Sequence, residues 1–108
     1  MINVTFTEEG EKLSLRLEGH AGYAEHGNDI VCASASILAY TLASIIGKCD
    51  TNSTINLESG DMTIESDCSD PLMRDVIENS FNFAVAGYAL LEHNYPQYVE
   101  INKGEKRL

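Results

Sequence analysis

A histidine and a cysteine share the segment GHAGYAEHGNDIVCASAS, residues 19–36, and Cys32 sits where a small polar loop gives way to a long apolar run. A free thiol titrates at about 8.5, so little of it is thiolate at neutral pH; a helix N-terminus and a neighbouring imidazole lower that value by several units. Both aids are within reach of Cys32. His20 lies upstream in the loop, and Asn28 or Asp29 is suited to cap a helix beginning at Ile30. Such a pair attacks carbonyl carbon, with Cys32 as nucleophile and His20 as general base. The unpaired N–H groups of the first helical turn are expected to favour the thiolate and also to hold an oxyanion. Gly19, Gly22 and Gly27 let the loop bend back so that His20 lies over the helix end, and the same composition makes the loop mobile.

Each of these residues has a plainer alternative. A cysteine near a helix start is often only a small buried hydrophobe, and His20 and His26 also read as solvent-facing loop residues. A carboxylate beside a thiol raises the thiol's pKa, so Asp29 is either a helix cap or a group that orients His20 or steers substrate. Ser36 follows Cys32 by one helical turn; it either donates a hydrogen bond into the site or provides a small contact. Tyr23 either lines the site or packs as a loop aromatic. Cys49 and Cys68 have no histidine placed as His20 is and read as structural, while His93 suits the carbonyls of a helix C-terminus. Zinc sites favour tight pairs such as CxxC or HxxxH, and phosphate loops need GxxxxGK[ST] or GxGxxG. None of these patterns occurs here, so neither a metal nor a cofactor is expected.

The elements that must position the segment are legible as periodicities. Ile2, Val4 and Phe6, then Leu13, Leu15 and Leu17 after Glu9-Gly10, predict a β-hairpin. The run 30–47 is too long for a strand and apolar nearly all round, as a helix buried on most of its surface would be, with Gly47 as its C-cap. Ile55 and Leu57, the Ser59-Gly60-Asp61 turn, then Met62 and Ile64 predict a second hairpin. Asp70 and Pro71 suit the start of a second helix, whose apolar positions are Leu72, Val76, Ile77, Phe81, Ala84, Tyr88 and Leu91, ending at Asn94 and Pro96. Residues 98–101 alternate as a last strand. The order ββαββαβ predicts a two-layer α+β fold, a mainly antiparallel sheet with two helices on one face, as one domain over 1–108.

Composition narrows the partners. Among 108 residues, 17 acidic against 7 basic side chains give a formal charge of −10, which repels phosphate backbones and anionic headgroups and favours a basic polypeptide. Three cysteines without a CxxC pair fit free thiols in a reducing compartment, hence a cytoplasmic location. Residues 1–10 lack the basic-then-apolar pattern of a secretory signal. Ser34, Ser36, Thr41 and Ser44 interrupt the run 30–47, which argues for a core helix over a membrane span.

Segment 19–36 closely resembles the signature of the ribosomal-processing cysteine protease family, Prp: a GHA start, a glycine and an aspartate, then VCA and a small-residue helix with a serine. The length, acidic balance and ββαββαβ layout are similar over nearly the whole chain. The resemblance implies an endopeptidase that removes an N-terminal extension from a large-subunit ribosomal protein, the twenty-seventh, cutting after a pair of phenylalanines. It implies Cys32 as nucleophile, His20 as general base, supporting roles for Asp29 and Ser36, a mobile active-site loop and a homodimer. Ser34 and Ala35 depart from the usual residues but remain small, which bears on substrate fit. Two rivals belong to other classes: a non-catalytic ribosome-assembly or peptide-binding module, and a thioesterase or acyltransferase using the same pair.

Overall fold

The computed structural model describes residues 1–102. Its elements run β1 (Ile2–Glu9), β2 (Lys12–Glu18), α1 (Ile30–Gly47), β3 (Ser53–Glu58), β4 (Asp61–Asp67), α2 (Arg74–Asn94) and β5 (Val99–Asn102), the ββαββαβ order that the periodicities predict. The five strands form one sheet in the order β3-β4-β2-β1-β5. All neighbours are antiparallel except β1 and β5, which pair in parallel with Ile2 opposite Val99.

Alternation in sequence becomes two faces in space. Ile2, Val4 and Phe6 on β1, Leu13, Leu15 and Leu17 on β2, and Met62 and Ile64 on β4 are all buried, and each is separated from the next by a residue pointing to the other face. The helices cover the buried face. Val31, Ala35, Ala39, Leu42, Ala43 and Ile46 form the inward stripe of α1, and Ile77, Phe81, Ala84, Tyr88 and Leu91 that of α2. The rings of Phe6 and Phe81 meet at 6.0 Å, tilted by 50°, so strand and helix share the centre of the core. Removing a ring so buried typically costs about 3–5 kcal/mol. The two helices approach closely at Gly87, where an added Cβ would lie 2.8 Å from the Leu38 side chain. Tyr88 reaches across from α2, its hydroxyl donating to the Ala35 carbonyl at 2.8 Å; burial pushes its pKa up.

Four expectations need correction. α1 is not buried on most of its surface, since Ile30, Ile37, Tyr40 and Ile45 are exposed on its outer side. Gly47 is its last residue rather than a left-handed cap. Lys48 caps with an ordinary right-handed backbone, and the N–H groups of Lys48 and Cys49 bond to the carbonyls of Ile45 and Ile46 at 3.1 Å, tightening the last turn. Asp70 and Pro71 do not begin α2. Asp70 Oδ1 accepts the Leu72 N–H at 2.9 Å and its carbonyl accepts Met73 and Arg74, which builds a separate turn ahead of a helix starting at Arg74. Leu72 therefore precedes the helix and is 83% exposed, while Val76, although within α2, is exposed beside the buried Ile77.

Candidate active site

β2 ends at Glu18, and residues 19–29 carry the chain across the sheet's end before α1 begins. Three positive-φ glycines make that return: Gly19 (φ 96), Gly22 (φ 71) and Gly27 (φ 92). At Gly19 space as well as φ demands glycine, because a Cβ there would collide with the Met1 carbonyl oxygen. The amino nitrogen of Met1 in turn donates to the His20 carbonyl at 2.6 Å.

Asp29 organises both the loop and the helix. Its Oδ1 accepts the N–H groups of Val31 (3.0 Å) and Cys32 (2.9 Å), and its Oδ2 those of Tyr23 (3.0 Å) and Ala24 (3.3 Å). Burial pushes the Asp29 carboxyl up, but these four backbone donors favour the charged form and hold it below its ordinary value. The Asp29 backbone carbonyl also accepts from Ala33 N–H at 3.0 Å. The cap is thus Asp29, not Asn28, and it has a cost for the expected chemistry: the N–H groups of residues 31–33 are already bonded to Asp29. Of the first-turn amides expected to hold an oxyanion, those of Val31, Cys32 and Ala33 are therefore already engaged.

Cys32 lies in the first turn of α1, half-buried, and its Sγ accepts a hydrogen bond from Ala21 N–H at 3.3 Å. That backbone donor sits on the loop rather than the helix, so the loop and not the helix end holds the sulfur. Ala21 itself is buried, so its amide is fixed in place. Among the described residues no hydrogen bond joins the His20 ring to Cys32 Sγ. The His20 ring instead rests against the β3–β4 turn, where a Cβ added to Gly60 would lie 2.7 Å from Nε2 and 3.0 Å from Cε1. The backbones meet there too, with Gly19 N–H donating to the Gly60 carbonyl at 2.9 Å.

His20 and Cys32 open onto the same cavity, of about 580 Å³, a size suited to a few residues of bound peptide. Asp29, Ser36, Gly19, Gly22 and Gly27 line it as well. Ser36 makes no hydrogen bond among the described residues, which leaves its hydroxyl available to the cavity. Tyr23 does not line it; its ring packs edge-on against Tyr95 at 5.6 Å and Tyr98 at 5.2 Å, tying the loop to the α2–β5 turn. His26 lines it too, and more of the wall comes from residues that the sequence did not assign to the site: Tyr40, two turns beyond Cys32 on α1, and Ser59, Gly60, Asp61 and Met62 of the second hairpin. Tyr40 had a signal, since positions 32, 36 and 40 follow one helical face. The hairpin residues had none, because their place depends on β4 pairing with β2, with Asp61 opposite Glu18.

The other two thiols are elsewhere. Cys49 is buried and its Sγ donates to the Ile45 carbonyl at 3.3 Å. Cys68 is 4% exposed, and burial, followed by the negative charge of Glu78, pushes its pKa up. Among the described residues, no group of three His, Cys, Asp or Glu side chains is placed to hold a metal ion.

Known proteins share this fold and parts of this sequence. A ribosomal processing cysteine protease Prp from Staphylococcus aureus is 34% identical over 58 residues, 53% of this chain and 55% of that protein, so the match spans about half the length of the curated relatives. The S. aureus protease crystallised with a covalently linked product peptide superposes with a TM-score of 0.80 at 28% identity, covering 94% of this chain and 98% of that one. The same protease with a substrate peptide gives a TM-score of 0.74 at 27% identity over the same shares. A Streptococcus mutans structure gives 0.67 at 28% identity, over 94% of this chain and 92% of that one. The family model for cysteine protease Prp matches residues 1–100. The chain belongs to the cysteine protease Prp family.

Proposed function

We propose that this chain is a cysteine endopeptidase of the cytosol that removes an N-terminal extension from a large-subunit ribosomal protein, the twenty-seventh, by cutting after a pair of phenylalanines. One observation carries the reading: Cys32 Sγ, held by Ala21 N–H, faces a peptide-sized cavity that His20 shares. His20 takes the thiol proton, Cys32 attacks the scissile carbonyl, the leaving amine takes the proton back from His20, and water then releases the acyl group. With the Val31, Cys32 and Ala33 amides bonded to Asp29, the developing oxyanion falls to the loop, where Ala21 N–H passes from the sulfur to the new oxygen as the sulfur bonds to carbon. Ring and sulfur must close on each other for the proton to move, and peptide entering the cavity is the natural trigger.

Charge supports the substrate class, since a chain with formal charge −10 attracts a basic ribosomal protein. The relatives' names point the same way, and their structures hold substrate and product peptides in a fold this chain shares. A homodimer belongs to the same reading. The test is a leader peptide containing the phenylalanine pair, incubated with wild type, Cys32→Ala and His20→Ala. Binding by all three with cutting by wild type alone upholds the proposal. Undiminished cutting by Cys32→Ala ends it, binding without cutting by wild type favours a peptide-binding module, and hydrolysis of small thioesters alone favours an acyl-transfer enzyme.

A further inference from the structure

We infer that Gly60, in the β3–β4 turn, is a positioning residue for His20: the missing side chain is the seat on which the imidazole rests. The inference deepens the protease reading and rests on it. Both hairpins of this fold turn on a glycine at positive φ, Gly10 at φ 60 and Gly60 at φ 81, so both turns resist substitution for backbone reasons alone. Their surroundings differ. A Cβ at Gly10 would meet nothing within 4 Å, whereas one at Gly60 would press on His20 Nε2 at 2.7 Å, Cε1 at 3.0 Å and Cδ2 at 3.5 Å. The same residue is anchored to the loop by the bond from Gly19 N–H to its carbonyl at 2.9 Å, so ring and backbone of the 19–20 pair are gauged from one point. Asp61 next to it is fixed in turn, its carbonyl accepting from Asn56 Nδ2 at 3.1 Å. What yields to a side chain at Gly60 is therefore the imidazole, the free end of an exposed side chain, and not the turn.

Gly60→Ala displaces His20 and Gly10→Ala does not, although both strain a hairpin turn; Gly60→Asn, whose side chain tolerates positive φ, repeats the displacement with less strain. The experiment measures leader-peptide cleavage and the histidine ring resonances by NMR in all three variants. The expected result is that kcat for Gly60→Ala and Gly60→Asn falls at least tenfold with KM little changed, that the His20 ring signals shift in both, and that Gly10→Ala matches wild type in each measurement. Wild-type-like cleavage or unshifted His20 signals in the Gly60 variants overturn the inference. A wild-type chain that cuts nothing would instead sink the protease reading, and that is seen without any Gly60 variant.

Discussion

Each half of the chain runs two strands into a helix, yet the two junctions are built for different ends. Between β2 and α1, residues 19–29 double back over the helix start, and one carboxylate inside the loop gathers four backbone N–H groups. Between β4 and α2, residues 68–73 make a shorter path whose bonds are strung along it: Asp67 accepts from Ser69 N–H at 2.8 Å, Asp70 from Leu72 N–H at 2.9 Å, and Arg74 Nε donates to the Cys68 carbonyl at 3.0 Å. Both junctions carry a cysteine. Cys32 faces a cavity with a histidine on its rim, whereas Cys68 is sealed under its own turn. The lesson is that the ββα layout alone does not open a thiol to a cavity; a junction long enough to fold over its helix, held by an internal carboxylate, does.

The largest effect should separate the two cysteines. Cys32→Ala lowers peptide cleavage by roughly four orders of magnitude or more, as loss of a nucleophile does, while Cys68→Ala leaves kcat/KM unchanged. Iodoacetamide labelling followed by peptide mass mapping sharpens this: Cys32 is modified in the native protein and Cys68 only after unfolding. Equal protection of both would erase the contrast.

Next come the carboxylates. Asp29→Ala removes a cap and a loop anchor together and costs about 1–2 kcal/mol in urea unfolding, at the upper end for N-caps. Asp70→Ala, which frees one turn N–H, costs about 0.5 kcal/mol. A reversed ranking would show that the 19–29 loop is not held by its carboxylate.

Acid should act through the same group. Because Asp29 is held below its ordinary value of 3.8 when folded, its stabilisation is fully present above pH 3.8 and is lost as pH falls through the lower folded value. Stability curves of wild type and Asp29→Asn therefore converge on acidification in this range and stay parallel at higher pH. The smallest effect is that of Glu11→Gln, which removes an exposed ion pair to Arg74 at 3.1 Å and costs about 0.5 kcal/mol or less.

Much of this was readable from residue order. Strict alternation in β1, β2 and β4 revealed both hairpins, and Asp29 ahead of Ile30-Val31-Cys32 revealed where α1 starts and which thiol it carries. The engaged first-turn amides were read the other way, as oxyanion donors, because the cap's two roles were weighed apart although an N-cap carboxylate takes the very amides that the bare helix end would offer. The start of α2 was not readable, because Asp70-Pro71 suits a helix and a turn equally and only the backbone decides. Nor was the seat of His20: Gly60 meets Gly19 through β2 pairing with β4, two strands separated by a helix and another strand, and local sequence is blind to that register.

The edge-on stack of Tyr23 on Tyr95 and Tyr98 carries a consequence for biogenesis. The loop's aromatic foothold belongs to the segment that leads into β5, which is translated long after the loop itself. A nascent chain thus holds His20 and Cys32 well before it owns the platform that steadies their loop, and full order in the loop has to wait until the segment leading into β5 has been made.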